Sequence, residues 1–197
     1  MDTRIEALIE RIQALETELE VEFARRAAEI GLTFQGKRVA FEQEVVARQR
    51  ELKKKLFRYL AEARPLTVLT APFIYALILP VALLDLMVTL YQLICFPAYG
   101  VPKVRRADYL IFDRGRLAYL NLIERLNCAY CSYANGVFAY AREVAGRTEQ
   151  YWCPIKHARR VLGAHAYYAN FIDFGDAEAY RAELESLRAK LAALPGP

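Results

Sequence analysis

Residues 66–102, LTVLTAPFIYALILPVALLDLMVTLYQLICFPAYGVP, contain a single charge, Asp85. A helix needs about 20 apolar residues to cross a bilayer core, so this block is long enough to do so. It is far too long for an ordinary soluble core helix. Pro72 and Pro80 fall inside it, and each removes a backbone donor, which kinks or breaks a helix. The chain is 55% hydrophobic, above the usual ~45–50%, and the excess is concentrated rather than spread out.

The flanks of the block are basic. Before it, RQRELKKKLFR holds Arg48, Arg50, Lys53, Lys54, Lys55 and Arg58. After it, VPKVRRADYLIFDRGR holds Lys103, Arg105, Arg106, Arg114 and Arg116. Positive residues favour the cytoplasmic side, and a single span would put one of these flanks on the wrong side. A hairpin turning near Pro80 or Asp85 keeps both inside. Its arms of roughly 15 residues, at ~1.5 Å per residue, fall short of a ~30 Å core. The expected form is therefore an intramembrane hairpin that dips into the bilayer or thins it, with one kinked span as the alternative. Asp85 then lies near the deepest point. It is either a hairpin-tip residue reaching headgroups or, in an oligomer of single spans, one member of a ring marking a cation path. The expected location is a bacterial inner membrane, with most of the chain cytoplasmic. The formal net charge of +4 is too weak to point to nucleic acid, and none is expected as a partner.

Residues 1–64 read as an amphipathic helical stalk. Ile5, Leu8, Ile12, Leu15, Leu19, Phe23, Ala27, Ile30 and Phe34 step by three or four, and the stripe resumes at Phe41, Val45, Leu52, Leu56 and Leu60. Gly31 and Gly36 bracket LTFQ and break this run into two helices or a hairpin. The stripe implies either a coiled coil making homo-oligomers through residues 1–60 or packing on the rest of its own chain. The tail, 173–197, reads as an amphipathic helix capped by Asp176, with Tyr180, Leu184, Leu187 and Leu191 on one face.

Residues 103–172, following the intramembrane segment 65–102, form the expected cytoplasmic domain. The stretch from Arg114 to Val144 suits one long helix, or two joined near Asn135-Gly136, and a short helix is expected to start near Pro154. Within it, Cys128-x2-Cys131 is followed by Cys153-x3-His157. Three cysteines and one histidine are a standard zinc set. Positions 128 and 131 share a helix face, as do 153 and 157 if that segment is helical. The expected cofactor is zinc, with an iron–sulfur cluster as the alternative. Two other readings stand beside it: a redox dithiol at Cys128 and Cys131, or cysteines that merely fill a helix face. The opening MDTRIEALIERIQ is charged from residue 2 and is no export signal, so reduced thiols are expected. No phosphate loop, nucleophile elbow or H-E-x-x-H motif occurs, and the reading leans away from an enzyme.

The stretches YLIFDRGRLAYLNLIERLNCAYCSYANG and RTEQYWCPIKHARR resemble a family of bacterial membrane-associated proteins of uncharacterised function, over residues 108–160. The resemblance implies that Cys128, Cys131, Cys153 and His157 act as one unit, and it implies no activity. The expected protein is thus all-α and membrane-embedded: a metal-stabilised, non-enzymatic scaffold or adaptor. The alternatives are an oligomeric channel or transporter using Asp85, or a membrane redox protein using the dithiol.

Overall fold

The computed structural model describes residues 3–29, 32–35, 38–41 and 43–196. The described elements are α1 (Thr3–Glu29), β1 (Leu32–Gln35), β2 (Arg38–Phe41), α2 (Gln43–Glu51), α3 (Leu56–Ala61), α4 (Pro65–Ala76), α5 (Ile78–Tyr99), α6 (Leu122–Trp152) and α7 (Ala177–Ala192). The protein is mainly helical, consistent with the all-α class, and carries one short two-stranded hairpin. β1 and β2 pair antiparallel, Leu32 opposite Phe41 and Gln35 opposite Arg38. Phe34 and Phe41, expected on a helical stripe, lie on these strands. The expected residues Gly31 and Gly36 lie outside the described residues, as does Ile30.

The four segments expected from the sequence regroup into two compact units, 1–62 with 113–126, and 63–112 with 127–197. In the first unit, α1 leaves Leu8, Ile12, Leu15, Leu19 and Phe23 each more than half exposed. The start of α6 is fixed there by a capping box: the Glu124 N–H donates to Asn121 Oδ1 at 3.0 Å, and the Asn121 N–H donates to Glu124 Oε2 at 2.8 Å.

The second unit corrects the hairpin. Leu77, between α4 and α5, keeps a right-handed helical conformation (φ −62°, ψ −16°), so the chain bends there without turning back. The sequence explains the break. A proline at position 80 can neither donate to the carbonyl of Ala76 nor fit against it, so α4 stops at Ala76. Pro80 itself falls in the first turn of α5, where its missing donor costs little. α5 then runs uninterrupted through Asp85 to a left-handed Gly100 (φ 67°), with the Val101 N–H closing on the Phe96 carbonyl at 2.9 Å.

α6 packs alongside this bent helix in parallel, because the contacts ascend together. Tyr75 meets Tyr130 ring to ring at 5.8 Å, Tyr133 meets Asp85 at 2.9 Å, Tyr91 meets Thr148 at 3.1 Å, and Tyr99 meets Trp152 at 5.3 Å. Two consecutive parallel helices require a connection that returns along their length. Residues 101–112 are the unit's share of that return, and they run back along the seam as a strap. Gln92 holds Val104 at both backbone groups, donating to its carbonyl at 3.1 Å and accepting from its N–H at 2.8 Å. Farther back, Arg106 meets Asp85, and Leu110 packs with Val81, Ala134 and Val137.

Gly136 permits the close approach of the strap. A Cβ there would sit 2.7 Å from the Tyr109 carbonyl oxygen and 3.2 Å from Leu110. The obstacle is backbone, which cannot swing aside. Gly136→Ala is expected to cost about 1–3 kcal/mol, seen as a fall of several degrees in the thermal midpoint. An unchanged midpoint would mean that the strap does not lie on α6.

Beyond α6 no helix starts at Pro154. Residues 154–156 are extended and pair in parallel with Ile172, through a Lys156 N–H bond of 2.7 Å and an Ile172 N–H bond of 2.9 Å. α7 is capped as expected, with Asp176 accepting from the Ala179 N–H at 2.8 Å. Its Leu187 and Leu191 are buried, Leu191 in the cluster that holds Phe96, Tyr140 and Val144.

Candidate functional site

The four expected metal ligands do not converge. α6 is a single helix from Leu122 to Trp152, with no break at Asn135-Gly136. Both glycines inside it, Gly136 and Gly146, are buried. Asn135 donates back to the Cys131 carbonyl at 2.9 Å, and Arg147 pairs with Glu143 at 2.9 Å one turn apart. At ~1.5 Å of rise per residue the helix sets Cys131 and Cys153 about 33 Å apart. One tetrahedral ion, with ~2.3 Å bonds to sulfur, cannot bridge that gap. His157 lies beyond Cys153 in the extended segment, its N–H donating to the Tyr168 hydroxyl at 2.6 Å. Among the described residues, no group of three or more His, Cys, Asp or Glu side chains gathers in a way that could hold a metal. The sequence spacing left room for a turn between the two pairs, but the helix continues through that stretch.

The cysteines are also poor candidates for a dithiol. Cys128 is half-buried and Cys131 exposed, both inside a continuous helix. The Cys153 thiol is pushed above its ordinary pKa by burial and then by Glu149, which disfavours the reactive thiolate. Because Cys131 and Cys153 are so far apart, Cys131→Ser and Cys153→Ser should change stability additively, within about 0.5 kcal/mol in a double-mutant cycle. A larger coupling would revive a shared ion.

Asp85 occupies the central polar position of the second unit. It is 7% exposed and faces the strap and α6. Arg106 grips its carboxylate with both prongs, at 2.8 Å from Nε and 2.5 Å from Nη2, and the Tyr133 hydroxyl donates at 2.9 Å. The carboxylate holds the Arg106 guanidinium above its ordinary pKa, through a charge-assisted bond of the stronger kind. Tyr133 is raised as well, mainly by burial and then by the bond to Asp85. With both oxygens engaged, Asp85 works as a clamp between helix and strap, and it is not the bare carboxylate that a cation path would present.

The polar seam continues above and below it. Tyr140, fully buried, accepts from Gln92 at 2.6 Å and lies 3.3 Å from Thr89 Oγ1. Farther along α6, Glu143 accepts from Arg147 and from the Tyr167 hydroxyl, and burial with that bond pushes Tyr167 up to about 12. His165 Nε2 lies 2.8 Å from Glu149, its ring pressed on Gly146 where a Cβ would come within 2.9 Å. These groups all hold α6 against the segments that cover it. Sequence reasoning missed Arg106 as the partner of Asp85. The signal existed, since a lone acid in an apolar block requires a cation, but Lys103, Arg105 and Arg106 were equivalent until the strap was seen.

The outer surface is the opposite of this seam. Residues Pro65–Tyr99 include a window with a mean hydropathy of 2.3, long and apolar enough to cross a membrane, and only 11% of that window is buried. Leu79, Leu83, Leu86, Leu90 and Leu93 step by four and three along α5, each at least 40% exposed. No protein-family model, curated protein or solved structure matches the chain.

Proposed function

We propose that the protein is a non-enzymatic, membrane-associated scaffold whose α4–α5 helix lies in the plane of one leaflet, on the cytoplasmic side of a bacterial inner membrane. The observation that carries this reading is the division of that helix into two unlike faces. One side is bonded to the strap and α6 from Ile74 to Tyr99. Those elements bear Arg106, Asp108, Arg142, Glu143, Arg147 and Glu149, which belong in water. A crossing position would draw them into hydrocarbon. The other side is a bare leucine stripe, which an in-plane helix buries in the acyl boundary. α4 alone, 12 residues, would extend about 18 Å and cannot span a ~30 Å core.

Two further features support the placement. The basic residues flanking the helix in sequence stay on one side of the membrane, where anionic headgroups attract them. Tyr99, Tyr151 and Trp152 form an aromatic cluster at the C-terminal end of α5, with ring centroids 5.1–5.3 Å apart, the residue types that favour a headgroup boundary. The exposed stripe of α1 gives the scaffold a surface for self-association. The zinc-stabilised form of this function is set aside, because α6 keeps Cys128 and Cys131 at a distance from Cys153. The channel form loses its motive once Asp85 is paired.

Topology tests the reading. Single cysteines replacing Lys54 and Lys103, in a chain freed of native thiols, should both react with an impermeant maleimide from the cytoplasmic side only. Labelling of Lys103→Cys from the opposite side would mean that the helix crosses, and the in-plane placement would be wrong.

A further inference from the structure

We propose that a cleft between the strap and the end of the chain binds a phosphate group. The cleft has a volume of ≈ 250 Å³ and is lined by Lys103, Arg105, Asp108, Tyr109, Arg147 and the Pro195–Gly196 segment. Cavities for drug-sized molecules run from about 300 Å³ upward, so this one suits a single small group. Three cations and one acid face it.

The cations are unequally committed. Arg147 is held rigidly, with Nε donating to Glu143 at 2.9 Å and Nη1 donating to the Pro102 carbonyl at 2.7 Å. Its side chain is 12% exposed, and Tyr167 is a further hydrogen-bond neighbour. A fixed, planar guanidinium lining a cleft is a geometry that suits an oxyanion. Arg105 reaches Asp108 at 3.3 Å, a solvent-exposed pair of small worth that an anion can reorganise. Among the described residues Lys103 has no ion-pair partner. Glu143 offsets part of the Arg147 charge, and Asp108 part of that of Arg105, which leaves Lys103 as the uncompensated charge of the cleft.

The strap explains why these groups meet. Gln92 fixes both backbone groups of Val104, so Lys103 and Arg105 flank a pinned residue and are displayed from rigid backbone. A phosphate in this place has two sources with the same chemistry, a phospholipid headgroup or a free phosphate. The lipid source rests on the membrane reading given above, whereas the anion site does not.

The experiment uses the full chain in neutral detergent, titrated with inorganic phosphate by calorimetry, and then the same protein floated with vesicles. Vesicles of phosphatidylcholine alone are compared with vesicles that also contain phosphatidic acid. Lys103→Gln, and Lys103→Gln with Arg105→Gln, are the test variants, while Lys53→Gln with Lys54→Gln is the control for diffuse charge. Phosphate affinity should fall about tenfold or more for each cation removed from the cleft and stay unchanged in the control. If the preference for phosphatidic acid falls in parallel, the source is a lipid. If only phosphate binding falls, the source is free phosphate. Absence of phosphate binding, or an equal loss in the control, overturns the site. Failure to float with either vesicle while phosphate still binds would overturn the membrane reading and leave the cleft standing.

Discussion

Replacing Leu83 and Leu86 by glutamate is expected to move the protein from the membrane fraction to the soluble one without unfolding it. Both side chains are more than half exposed on the outer face of α5, and neither belongs to the buried clusters of the fold. Removing two buried leucines from an acyl boundary forfeits about 3–6 kcal/mol, at roughly 1.5–3 kcal/mol each. That is about 100- to 10,000-fold in partition, since each 1.4 kcal/mol is about tenfold, before the added cost of two carboxylates near the headgroups. The measurement is vesicle sedimentation beside a thermal melt in detergent. Full retention on vesicles with an unchanged melt would show that this face does not meet lipid, and the scaffold reading would lose its main support.

Arg106→Ala should be the most destabilising single change away from the apolar face. It leaves the Asp85 carboxylate buried with only the uncharged hydroxyls of Tyr133 and Thr89 as donors. Breaking a buried pair costs about 3–5 kcal/mol. The Arg106 side chain is 44% exposed, so solvent already screens part of this interaction and about 2–3 kcal/mol is the expected loss. For a chain of this size that lowers the thermal midpoint by roughly 4–12 °C. Adding Asp85→Asn to Arg106→Ala should recover much of the loss, because it removes the stranded charge. A midpoint within about 1 °C of the parent for Arg106→Ala would remove the clamp from the account of the fold.

The sequence by itself determined the features whose cause is local. The 37-residue apolar run announces its helix through composition alone, and one acid within it announces a partner somewhere. The Asp176 cap and the leucine face of α7 follow from spacing, as does the helical character of α1 and α6. Proline chemistry was legible as a break, although its form was misread. Pro80 ends α4 at Ala76 and lets α5 start, so the chain bends where a turn had been expected.

Tertiary structure decided whatever depended on which segments lie side by side. The cysteine pairs looked like one metal site because spacing says nothing about whether the intervening chain turns. Gly136 left one helix or two open, and its missing Cβ serves the strap that crosses it while the helix continues. Helix propensity tolerates a buried glycine when packing repays it, and no single sequence records that repayment. The same holds for Asp85. A carboxylate in an apolar block is costly wherever it sits, so the sequence demands neutralisation. Only the parallel packing of α5 and α6, with the return strap it forces between them, decides that Arg106 supplies the counter-charge. That packing also leaves Lys103 and Arg105 facing outward beside Arg147.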